Sequence, residues 1–125
     1  MAAFVTQLGE AFCGAGDEAA HVNTVLGAKG GPVETAWATA LATPREGHVP
    51  FVVAAQPGVA AKPMTLFVNK ATIASPAHAA LTWGPAQAGV ASGVLDAVAD
   101  ATVPATLVDD LVLVAAVWLS AAALD

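Results

Sequence analysis

A chain of 125 residues bounds the molecule to one domain (residues 1–125), long enough for a sheet with helices packed on it. Its 57% hydrophobic and 11% charged residues, against roughly 25% charged in average soluble domains, leave more apolar surface than so small a core covers, so part of it is expected between subunits. A formal charge of -6 with only four Lys and Arg excludes the clustered cations that phosphate binding needs, and with them a nucleic-acid partner.

Phe4 to Phe12 reads as a first strand, with Phe4, Thr6 and Leu8 on one face and Val5 and Gln7 on the other. Met1 to Phe12 lacks a positive n-region and a long apolar run, so a cytoplasmic location is expected. Cys13 stands alone, which leaves no disulfide framework; a buried, inert thiol is expected. Gly14 and Gly16 break the chain before a second strand around His21, and the two strands should pair as a hairpin. In that second strand His21, Asn23 and Val25 share one side, and Val22, Thr24 and Leu26 the other. A polar pair therefore sits on one face of a mostly apolar strand.

Gly31 at the N-cap, Pro32 at the first helical position and Glu34 at the third write a helix start. Val33, Ala36, Trp37, Ala40 and Leu41 then recur at helical spacing, which predicts a helix over Pro32 to Leu41 with that face on a core. The Gly27 to Gly31 loop lacks the Gly-Lys-Ser/Thr ending of a phosphate loop and reads as a turn. Thr43 to Pro50 is a loop on composition, with His48 solvated in it. Phe51 to Ala55 is a short apolar strand. Met64 to Ile73 alternates as a strand, with Lys70 and Thr72 pointing the same way and Lys70 half-buried.

Ser75 is placed to cap a short helix from Pro76 to Gly84, with His78 on its solvated surface, and Pro85 to open a second helix running to about Ala101. Ala86, Gly89 and Gly93 should let that helix approach a neighbour closely. Leu111 to Leu119 reads as a buried central strand; the apolar run to Leu124 is shorter than the roughly 18 residues of a spanning helix. The three histidines lack metal-ligand spacing.

Taken one at a time, His21, Lys70 and Gln87 each have an ordinary structural explanation: a hydrogen-bonded core histidine, a snorkelling lysine and a solvated first-turn glutamine. As an ordered set they say more. Gly16-Asp17-Glu18-Ala19-Ala20-His21, Gly30-Gly31-Pro32-Val33-Glu34-Thr35-Ala36, Lys62-Pro63, Val68-Asn69-Lys70-Ala71-Thr72-Ile73 and Gly84-Pro85-Ala86-Gln87 together resemble the formaldehyde-activating enzyme family, over Phe4 to about Val117.

The resemblance implies an α/β (α+β) fold like the second domain of ribosomal protein S5, a mixed sheet with helices packed on one face, in a homopentamer whose clefts lie between subunits. It also implies a cytoplasmic lyase of one-carbon metabolism, found in methylotrophs and methanogens. That enzyme condenses formaldehyde with tetrahydromethanopterin, or its dephospho form, to methylene-tetrahydromethanopterin and water, without a metal. By residue match the acid histidine falls on His21, and the pterin-contacting positions on Asn23, Val52, Lys70, Thr72 and Gln87. Two departures accompany it: the family usually has aspartate where this chain has Asn23, and its members usually continue beyond the position of Asp125. Both leave open a non-catalytic pterin- or aldehyde-binding homologue of the same fold.

Overall fold

Strand β7, Leu111–Leu119, lies in the middle of a five-stranded sheet ordered β1-β2-β7-β6-β3. The computed structural model describes residues 4–123. β1 (Gln7–Cys13) and β2 (Ala20–Ala28) form the expected antiparallel hairpin, joined by a 3-10 turn at Gly16–Glu18. β2 continues antiparallel onto β7, whereas β6 (Met64–Asn69) runs parallel to β7, and β3 (Phe51–Val52) closes the other edge. The sheet is therefore mixed. A small hairpin of β4 (Ala54–Gln56) and β5 (Val59–Ala60) stands beside it.

Parallel strands need a long crossover, and between β6 and β7 it is helical: α2 (Pro76–Leu81), a π turn at Thr82–Ala86, then α3 (Gln87–Ala99). Ser75 caps α2 as the sequence predicts, its hydroxyl accepting from the His78 N–H at 3.0 Å. Gly84 does not stop the helix and Pro85 does not open a new one. The wider π turn carries the helical path through the proline, whose missing N–H would break a regular α-helical ladder. His78 is likewise not a surface residue: it is 3% exposed, its Nδ1 accepting from the Ala74 N–H and its Nε2 donating to the Leu119 carbonyl, both at 3.0 Å.

The core lies between α3 and one face of the sheet. Val94 and Ala91 pack with Phe67, Val117, Val53 and Ala61, while Leu26, Leu111 and Val103 form a second cluster against Ala97 and Val98. Each fully buried Leu, Val or Phe stabilises the fold by about 1.5–3 kcal/mol. The small residues of α3 do the opposite of what their size suggests. Nothing lies within 4 Å of where a Cβ would sit at Gly89 or Gly93, and these glycines border an apolar groove of about 790 Å³ between α3 and the β1–β2 hairpin.

α1 (Pro32–Ala42) starts at Gly31 and Pro32 as written in the sequence. Its apolar stripe is only partly covered: Val33 is buried, Trp37 and Ala40 are half-buried, and Ala36 and Leu41 are exposed. The helix is seated where Val33 meets Gly27. A Cβ at Gly27 would overlap Val33 Cγ2 and lie 2.7 Å from its Cβ, and a β-branched side chain on a helix has little freedom to move away. Gly27→Ala is expected to cost about 1–3 kcal/mol, measured as a lower urea midpoint at unchanged slope. Among the described residues no helix is long and apolar enough to cross a membrane.

Candidate active site

Strand alternation places His21 and Asn23 on the face of β2 opposite Val22 and Leu26, and so opposite α3. The antiparallel registers then choose their neighbours. On β1, Phe12 pairs with His21 and Glu10 with Asn23; on β7, Trp118 pairs with His21. Lys70 arrives from β6, one residue past the strand end rather than within it, and is exposed. Its backbone N–H donates to the Val117 carbonyl at 2.8 Å. The preceding Asn69, 7% exposed, donates its side-chain amide to the Gly47 and Ala71 carbonyls, each at 2.7 Å, and so fixes where the chain leaves the sheet.

Four side chains close into a ring of hydrogen bonds. Lys70 Nζ lies 2.6 Å from His21 Nδ1 and 2.7 Å from Asn23 Oδ1. Glu10 Oε2 lies 2.9 Å from His21 Nε2 and 3.1 Å from Asn23 Nδ2. Asparagine suits its place because its carbonyl meets the ammonium while its amide meets the carboxylate; an aspartate would set a second negative charge against Glu10. The Asn23 amide first, and the His21 ring N–H next, hold the Glu10 carboxyl below its ordinary value of 4.5, with the charge of Lys70 adding to the effect. Glu10 therefore stays ionised below the pH at which a free glutamate is protonated. Its role as acceptor for His21 and Asn23 is lost as pH falls through the lowered value.

The imidazole is further held by Phe12, whose ring stacks on it at 4.1 Å between centroids and 8° between planes. The His21 side chain keeps 20% of its surface exposed and borders an open cavity of about 450 Å³, lined also by Phe12, Cys13, Lys70 and Trp118. That volume suits a small organic molecule. Cys13 is exposed there, not buried as its isolation in the sequence suggests.

Residues 8–125 match the sequence profile described as Formaldehyde-activating enzyme (Fae). The chain belongs to this family. It is similar to the 5,6,7,8-tetrahydromethanopterin hydro-lyase of Methanosarcina barkeri, at 45% identity over 91% of this chain and 64% of that protein. It also resembles proteins named bifunctional enzyme Fae/Hps, at 42% identity in Methanosarcina mazei and 40% in Methanocella arvoryzae, each alignment covering 95% of this chain and 30% of the relative. The chain thus spans 64% of the first of these relatives and less of the others.

Of the positions expected from the sequence, the structure brings His21, Asn23 and Lys70 together. Val52 and Gln87 lie elsewhere in the protomer. Val52 is half-buried on β3, three strand spacings from β2, or roughly 14 Å across the sheet. Thr72 is exposed, its methyl standing beside Gly47. Gln87 serves the fold: its Oε1 accepts from the Ala54 N–H at 2.7 Å and its Nε2 donates to the Ala54 carbonyl at 3.3 Å.

Glu10 is the residue sequence reasoning passed over. Continuing the alternation of Phe4, Thr6 and Leu8 puts Glu10 and Phe12 on the same face. Only the hairpin register, which depends on the turn, reveals that this face carries His21.

Proposed function

We propose that this chain condenses formaldehyde with tetrahydromethanopterin, or a closely related reduced pterin, to the methylene derivative and water, as a hydro-lyase. The observation that carries the reading is the bonded pair of Lys70 Nζ and His21 Nδ1, 2.6 Å apart on the wall of a ligand-sized cavity. It occurs in a chain matching the formaldehyde-activating family along residues 8–125. The name of the Methanosarcina barkeri relative supports the pterin as co-substrate.

The chemistry needs little beyond position and one proton. An amine nitrogen adds to formaldehyde, its proton passing to oxygen, to give a carbinolamine. Hydroxide leaves poorly until it is protonated, and a positioned acid accelerates such a step by about 10²–10⁴. The acid role that the family implies for His21 is proposed here for the His21–Lys70 pair. The second amine then closes the ring, and holding both nitrogens near the one-carbon unit lowers the entropic part of the barrier. Val52 and Gln87 lie apart from this pair within one protomer. A cleft completed by a neighbouring copy, in a homopentamer, would reunite the full set. The exposed Leu8, Phe12, Trp83, Leu95 and Trp118 offer apolar surface for such contacts.

The test is the condensation itself, followed spectroscopically with and without protein. Acceleration over the spontaneous reaction is expected. Pterin binding in calorimetry with no acceleration would replace the enzyme by a non-catalytic pterin-binding homologue. Light scattering is expected to give a mass several times that of one chain, and a monomer would remove the shared cleft.

A further inference from the structure

The atoms of the ring have fixed donor and acceptor roles. A carboxylate only accepts, so His21 Nε2 and Asn23 Nδ2 donate to Glu10 Oε2, at 2.9 and 3.1 Å. An ammonium only donates, so His21 Nδ1 and Asn23 Oδ1 accept from Lys70 Nζ, at 2.6 and 2.7 Å. The imidazole is therefore the neutral Nε2–H tautomer with both nitrogens engaged, and no N–H of His21 is free to meet a substrate. A second proton on Nδ1 would point at the ammonium across 2.6 Å with no lone pair between them. A single proton therefore lies between Nδ1 and Nζ. An ammonium has three N–H bonds; two are used within the ring, and one remains on a residue that lines the cavity.

We infer that Lys70, rather than His21, hands the proton to the departing hydroxyl, and that His21 and Glu10 are positioning residues that hold Nζ in place. This rests on the condensation reading. An Nζ–H bond breaks as its proton moves to the carbinolamine oxygen. The C–O bond then breaks with its electron pair going to that oxygen, water leaves, and the lone pair of the neighbouring nitrogen becomes the C=N bond of an iminium. Lys70 is left as a neutral amine. When the second pterin nitrogen bonds to the iminium carbon, the C=N pair returns to the first nitrogen and the surplus proton on the second moves to Nζ. The ammonium is restored, and no oxidant or reductant takes part.

The groups facing Nζ are His21 and Asn23 from β2 and, through them, Glu10 from β1. Two measurements test the assignment. Lys70→Arg keeps the charge and N–H donors but cannot release a proton. Because Lys70 is exposed, the variant should melt with the wild type, while kcat falls by about 10²–10⁴. A kcat within a few-fold of wild type would overturn the inference. The second is His21→Gln, whose amide offers an oxygen to Nζ and an N–H to Glu10 but no transferable ring proton; partial return of the rate lost in His21→Ala is expected. A loss as complete as in His21→Ala would return the role to His21 and overturn the inference. Absence of acceleration by the wild-type protein is a different result, which removes the condensation reading and this step with it.

Discussion

His21→Ala is expected to lower the catalysed condensation by about 10²–10⁴ while leaving the fold in place. The substitution removes the acceptor at 2.6 Å that holds Lys70 Nζ and the donor at 2.9 Å that holds Glu10. Lys70 is left with Asn23 alone in the ring. The fold should survive because the imidazole lies outside both hydrophobic clusters. Pterin binding in calorimetry should persist, and acceleration equal to wild type would contradict the role given to this face of β2. His21→Gln separates two ways of losing the rate. A glutamine amide offers an oxygen to Lys70 and an N–H to Glu10 at once but no transferable ring proton. A positioning role predicts partial recovery over alanine, whereas a proton-donating imidazole predicts none.

The largest stability effect outside the apolar core is expected at His78. Its buried ring ties the chain ahead of α2 to the end of β7: Nδ1 takes the Ala74 N–H and Nε2 gives to the Leu119 carbonyl, while its backbone N–H is capped by Ser75. His78→Leu preserves much of the volume but leaves the Ala74 N–H and the Leu119 carbonyl without that partner. Each such group costs about 1–3 kcal/mol, so a loss of about 2–4 kcal/mol is expected in urea unfolding. A change under about 0.5 kcal/mol, the size usual for surface substitutions, would mean that water satisfies both groups. Condensation per folded molecule should be unchanged, because the ring of Glu10, His21, Asn23 and Lys70 does not include His78.

What could be read from the sequence was local. The Gly31-Pro32 helix start, the Ser75 cap and the apolar length of Leu111–Leu119 each depend on neighbours a few residues away, and each element forms where expected. What escaped depends on distant partners. The burial of His78 follows from Leu119, 41 residues away, and the value of Glu10 follows from a register that brings it to Asn23, 13 residues on. Alternation places Lys70 on a strand running to Ile73, because it continues in the letters after the hydrogen-bonded ladder has stopped at Asn69. Gly84 and Pro85 were punctuation that a π turn absorbs. The site was half legible: residue match to the family named His21, Asn23 and Lys70, and only the fold could add their carboxylate.

The two faces of β2 have a consequence for folding errors. Pairing against β7 offset by one position would turn the imidazole toward α3 and take Val22 and Leu26 out of the clusters they pack in. Misalignment would therefore forfeit apolar burial and strand a polar ring in hydrocarbon at the same time. Molecules that are correctly threaded for stability are correctly threaded for proton transfer, so inactive but fully folded protein should not accumulate from this source.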